Sequence, residues 1–125
     1  MNMNLLLDSN ILLDYLRNRS EAVEFVDSLS NVPKISAITV AELYAGVREG
    51  REREILDQLI SDIPVVDVDD EIAVMGGLFR RRYLKSHSLE IADAIIAATA
   101  QIEGSELVTL NKKHFPMFSS VLVPY

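Results

Sequence analysis

The chain has 125 residues, of which 49% are hydrophobic and 25% charged, with a formal net charge of −7 and no cysteine. That is enough for a single globular domain over 1–125, and it excludes disulfides, thiolate catalysis and cysteine-ligated zinc. The acidic balance argues against nucleic-acid binding by bulk charge. The absence of a long apolar run or a leader pattern makes a cytoplasmic, membrane-free setting the expectation.

The opening "MNMNLLLDSNILLDYLRN" reads as a short buried strand, Asn4 to Leu7, then a turn and a helix from about Ser9. A second helix is predicted over "SEAVEFVDSLS", where Ala22, Val23, Val26 and Leu29 share one face. Pro33 ends it. "KISAI" is then a β-branched strand, and "TVAELYAGVREG" a helix stopping at Gly50. "REREILDQLISDI" predicts a further helix before Pro64, "VVDV" a strand, and the next helix runs from about Asp69 through Tyr83. An alanine-rich helix starts near Leu89 and ends at Gly104. "ELVTL" is a strand, "NKKHF" a turn or short helix, and "SVLVPY" a last strand. Short, continuously apolar strands alternating with helices imply a three-layer α/β/α fold around a mainly parallel sheet of about five short strands. Ligands bind such sheets beyond the carboxyl ends of the strands.

Four polar positions stand out against that frame. Asp93 sits inside "SLEIADAIIAATAQ", between Leu89, Ile96, Ala97 and Ala100 on the helical wheel, where an ionised group needs compensation. Asp8 follows the first strand directly, a place where an aspartate also suits helix capping, with Ser9 or Asn10 to help. Glu42 lies on the helix after the second strand beside Thr39, Ala45 and Gly46; alone it reads as a solvated surface residue. Asn111 follows "LVTL", with Thr109 two residues earlier, and asparagine favours turns in any case. Taken together, these four are expected to converge on one rim of the sheet. Three carboxylates about 4 Å apart would repel by roughly 4 kcal/mol per pair at an effective dielectric near 20. A divalent cation removes that repulsion, and an all-oxygen donor set selects Mg²⁺ or Mn²⁺; such a site suits phosphodiester hydrolysis.

The segments "LLLDSNILLDYL", "ISAITVAELYAGV", "LEIADAIIAATA" and "ELVTLNKKHF", in this order and spacing, resemble the PIN-domain ribonucleases, most of all the VapC-type toxins of prokaryotic toxin–antitoxin pairs. The resemblance covers essentially the whole chain. It implies a PIN-like fold and a Mg²⁺-dependent endoribonuclease, with Mn²⁺ as a substitute. Metal-binding acids are implied at Asp8, Glu42 and Asp93, and a small hydroxyl residue at Ser9. Many relatives carry a fourth acid where this chain has Asn111, whose neutral oxygen can still ligate or orient water. A second metal would be held less tightly there. The resemblance also implies a homodimer and an antitoxin whose tail covers the acidic site.

Basic residues gather at "REGRERE", "FRRRYLK" and after Asn111. Of these, Arg80, Arg81, Arg82, Lys112 and Lys113 are the expected RNA-phosphate contacts, the others reading as solvated helix faces. With no tryptophan, recognition by backbone and shape is expected over base stacking. Two alternatives stay open from sequence: a PIN nuclease of RNA maturation without a toxin role, and a non-catalytic RNA- or protein-binding module. A phosphoacceptor receiver domain fits poorly, because the late strand ends in Asn111 where that fold needs a lysine.

Overall fold

The computed structural model describes residues 4–125. Strand β1 (Leu5–Leu7) lies parallel to β4 (Glu106–Val108), with Leu6 opposite Leu107. Strand β2 (Ile35–Ser36) lies parallel to β3 (Val65–Val66). A bridge between Leu6 and Lys34 joins the two pairs, and Leu122 extends the sheet beyond β4 through a bridge to Val108. The order is therefore β3-β2-β1-β4-Leu122, parallel throughout.

Among the described residues six α-helices cover this sheet: α1 (Ser9–Leu16), α2 (Ser20–Ser28), α3 (Ala37–Gly46), α4 (Arg51–Asp62), α5 (Asp70–His87) and α6 (Ile91–Glu103). The two-residue period of a strand sorts the core. Leu5 and Leu7 pack on one face with Ile11, Leu12, Leu43 and Leu56, while Leu6 packs on the other with Ile96, Ala97, Ala100 and Phe115. A sheet buried on both faces needs apolar residues at every strand position, which is why "LLL" does not alternate with polar residues. The three layers follow.

Several boundaries differ from the sequence expectation. "KISAI" yields only Ile35–Ser36 as strand, because the Ser36 hydroxyl accepts the Ile38 N–H at 3.2 Å and starts α3 at once. That helix ends at Gly46, not Gly50; Gly50, at φ +99°, instead precedes α4. The predicted last strand is reduced to the single Leu122 bridge. The long helix α5 continues past Tyr83 to His87 and stops where Ser88 turns left-handed.

Helix α5 lies close along α6. A Cβ placed on Gly76 would stand 3.1 Å from Ile95 Cγ1 and 3.3 Å from its Cα, so only a glycine fits without displacement. Replacing Gly76 by leucine should therefore force the two helices apart and lower unfolding free energy by about 1–3 kcal/mol. Urea denaturation checks this, and an unchanged midpoint would contradict the close contact.

Candidate metal-binding acidic site

The carboxyl ends of β1 and β4 place two residues side by side. Asp8 directly follows β1 and caps α1, and it is 5% exposed. One carboxylate oxygen accepts the Ser9 N–H at 2.8 Å, and the other accepts the Thr109 hydroxyl at 2.7 Å. Thr109, fully buried just after β4, also accepts the backbone N–H of Asn111 at 3.0 Å. Its hydroxyl thus ties the acid at one strand end to the turn at the other. Asn10 joins weakly, with its amide nitrogen 3.5 Å from the Thr109 hydroxyl and its oxygen 3.4 Å from the Leu110 N–H.

Glu42 projects from α3 and is half-buried, contrary to the solvated surface position it suggests in isolation. Among the described residues its Oε1 is buried without a hydrogen-bond partner, and so is the hydroxyl of Thr39 one turn earlier. Asp93 stands in the first turn of α6, where the helix dipole favours a negative charge. Its Oδ2 lies 3.2 Å from Nδ1 of His114, and its side chain is 19% exposed. His114 is a partner of Asp93 that offsets only part of the cost of its burial. It is also the residue that sequence reasoning passed over, grouping it with the neighbouring lysines.

The three acids share one electrostatic field. Burial pushes Asp8 above the usual carboxylate range, and the Thr109 hydroxyl, the Ser9 N–H and His114 offset part of that. Burial also raises Glu42, and the charges of Asp8 and Asp93 raise it further. Asp93 is raised by burial and by Asp8, against the opposing pull of His114. The donor chemistry suits a hard cation: three carboxylates, each destabilised in its charged form, one with an orphaned oxygen. Among the described residues, no three His, Cys, Asp or Glu side chains close on a common point as a ready-made cage.

The remaining expected residues fall around this rim. Ser9 lends its N–H to Asp8, and its side chain offsets part of the rise at Glu42. Asn111 is exposed and is tied to the site through its backbone. Lys112 and Lys113 are exposed on a single 3₁₀ turn that also carries His114. The three arginines are not one patch: Arg80 is half-buried with a partnerless Nε, whereas Arg81 and Arg82 are exposed, Arg82 stacking over Tyr83. A cleft lined by His87, Leu89, Glu90, Asp93 and His114 opens beside Asp93. A roomier apolar cavity of about 450 Å³, lined by Leu5, Phe25, Glu106 and Leu122, opens at the opposite, amino ends of β1 and β4, away from the acids.

The raised carboxylates have a thermodynamic signature. Their folded pKa values exceed the unfolded ones, so the folded chain binds more protons. The stability they contribute is complete below the unfolded carboxylate pKa, near ~4, and is lost as pH rises through the raised values. Metal-free thermal melts of Asp93→Asn should therefore show a shallower loss of stability with rising pH than the unaltered chain. Parallel pH profiles would mean that the three acids do not share a field.

The PIN domain family model matches residues 5–118. Ribonuclease VapC19 of Mycobacterium tuberculosis is 38% identical over 124 residues, which cover 96% of this chain and 98% of that protein. Ribonuclease VapC10 of the same organism is 36% identical over 124 residues, 97% of this chain and 92% of the relative. A chain in a toxin–antitoxin complex from Klebsiella pneumoniae superposes with a TM-score of 0.83 at 30% identity, covering 98% of both chains. From this near full-length agreement in sequence and fold, the chain belongs to the PIN-domain family, alongside the VapC ribonucleases.

Proposed function

We propose that this protein is a Mg²⁺-dependent endoribonuclease and the toxin of a toxin–antitoxin pair. The observation that carries the reading is the buried Oε1 of Glu42, which has no hydrogen-bond partner among the described residues and feels two further carboxylates. A buried acceptor in that situation is costly unless something positive meets it. The naming of the relatives as ribonucleases, and of structural neighbours as toxin–antitoxin complexes, supports the same direction.

In this reading Asp8, Glu42 and Asp93 hold the cation, with Mn²⁺ able to replace Mg²⁺. The bound cation supplies charge stabilisation at the scissile phosphate and a more acidic attacking water. The protein's own contribution is positional. Thr109 and the Ser9 N–H fix both oxygens of Asp8, and His114 fixes one oxygen of Asp93. Asn111 supports the metal or places the water, through a neutral amide that adds no charge. Lys112, Lys113, Arg81 and Arg82, all exposed, serve as RNA-phosphate contacts, which orient the backbone without reading bases. Arg80, being half-buried, has the weakest claim to that role.

The antitoxin meets the same site. An arginine fork pairs well with carboxylates, so a basic side chain on the antitoxin tail is the natural occupant when the cation is absent.

Two outcomes are expected. Changing Glu42→Gln or Asp93→Asn should reduce Mg²⁺-dependent cleavage of RNA by roughly two orders of magnitude or more, since even outer-shell partners of a metal cost 10–100-fold. Wild-type rates for both variants in a gel-based cleavage assay would remove the proposed site. Secondly, affinity for the cognate antitoxin should fall several-fold as Mn²⁺ is raised, because both occupy the acids. Calorimetric titration at fixed ionic strength measures it, and an affinity indifferent to Mn²⁺ would place the antitoxin tail elsewhere.

A further inference from the structure

Beside Asp93 lies a cleft to which cation binding assigns no role. It encloses about 240 Å³ and is lined by His87, Ser88, Leu89, Glu90, Asp93 and His114. Both histidines of the chain border it. It is smaller than the roughly 300–1,000 Å³ of clefts that take drug-sized ligands, a size suited to one planar ring system.

The turn from α5 to α6 builds its walls. The His87 ring is held twice: Ser86 Oγ lies 2.7 Å from its Nδ1, and Tyr83 meets it edge-to-face with centroids 5.8 Å apart. Ser88 follows in the left-handed region at φ 51°, where glycine or asparagine usually ends a helix. Leu89, only 2% exposed, adds an apolar wall. Glu90 is the N-cap of α6, a position that favours serine, threonine, aspartate or asparagine, yet its side chain caps nothing. Among the described residues that carboxylate is exposed and enters no ion pair.

These surroundings select the class of occupant. Glu90 and Asp93 repel an anion, so the cleft does not seat a phosphate. Among the described residues no three metal-ligating side chains close on one point, so it is not a second cation cage. An occupant must bring N–H donors on a flat, largely apolar body. A nucleobase does, and it lies one ribose away from the phosphate that the adjacent acids would act upon. Guanine fits best. Its Watson–Crick edge carries two parallel N–H donors, at N1 and N2, which match the two oxygens of a carboxylate as an arginine fork does. Adenine and cytosine bring a single amino group there, and uracil a single N–H.

We propose that this cleft is a base-binding subsite that takes a guanine next to the scissile phosphate. Glu90 accepts its N1–H and N2–H, and the fixed His87 ring packs against it. The subsite rests on the nuclease reading for its place along the substrate, and it supplies the base selection that the phosphate contacts of the rim lack.

Two-dimensional NMR of the purified, metal-free full chain, titrated separately with guanosine, adenosine, cytidine and uridine, tests the subsite with no phosphate to cleave. Guanosine should shift the amide signals of residues 87–90 at roughly tenfold lower concentration than the other three, as one good bidentate pair provides. Glu90→Gln, which offers one acceptor and one donor, should weaken guanosine roughly tenfold and make adenosine the tighter ligand. Glu90→Ser should lose the preference for guanosine while keeping or raising the melting temperature, because a serine caps α6. Nucleosides bound alike, shifts confined to other residues, or a Glu90→Gln chain that still prefers guanosine overturns the proposal. So does arginine amide shifting these signals where guanosine does not, the result expected if the cleft seats an arginine of a protein partner. Guanosine selected as described by a chain that cleaves no RNA in Mg²⁺ upholds the guanine site and removes the nuclease reading instead.

Discussion

The hydrogen bond from the Thr109 hydroxyl to Asp8 is the contact on which the rest of the site depends. It spans 101 positions of sequence, yet it is short because β1 and β4 are adjacent parallel strands ending at the same level. A parallel sheet gathers its carboxyl ends on one rim, whereas an antiparallel hairpin would send them to opposite rims. The bond also stabilises the charged form of an almost fully buried carboxylate, which burial alone would push strongly towards protonation. Without it, the first acid of the cluster would be neutral over a wider pH range. Topology here sets protonation.

Much of this was legible in the sequence because of contradictions in polarity. Asp93 announces itself as a carboxylate in an otherwise aliphatic helix, and Asp8 as a charge at the end of an uninterrupted leucine run. Glu42 does not. Its helix exposes Ala41 and Ala45, so nothing local separates it from an ordinary surface glutamate; only the approach of α1 and α6 makes it half-buried. His114 was invisible for a different reason. It lies in a turn rather than in a periodic element, and its partner is 21 positions away, beyond any helical or strand spacing. The clue available was its place three residues after a strand-end asparagine, on the expected rim of the sheet.

The fold class was legible for a reason independent of the site. Strands that are apolar at successive positions can only be central in a covered sheet, and the two clusters around Leu5 and Leu7 and around Leu6 realise that cover. Strand lengths were less legible. "KISAI" has β-branched residues at two of its five positions, but a serine in mid-run is as good a helix cap as a strand residue. The cap won, and by winning it brought α3 close enough to the strand end for Glu42 to reach the rim. A local preference for helix thereby fixes how far Glu42 reaches over the rim.

The joint between β1 and β2 has a mechanical consequence. Backbone pairing across it consists of the Leu7 N–H on Lys34 and the Lys34 N–H on Leu5, two bonds in all, whereas β1 is paired with β4 along its full length. Asp8 belongs to the firmly laced half, as does α6, which runs directly into β4. Glu42 rides on α3, which grows from the loosely laced half. The joint therefore divides the acidic rim, with the two aspartates on the pair of strands laced along its full length and Glu42 reaching in from the other pair. Side-chain packing around the fully buried Leu43 and Thr39 supplements the two backbone bonds across that divide.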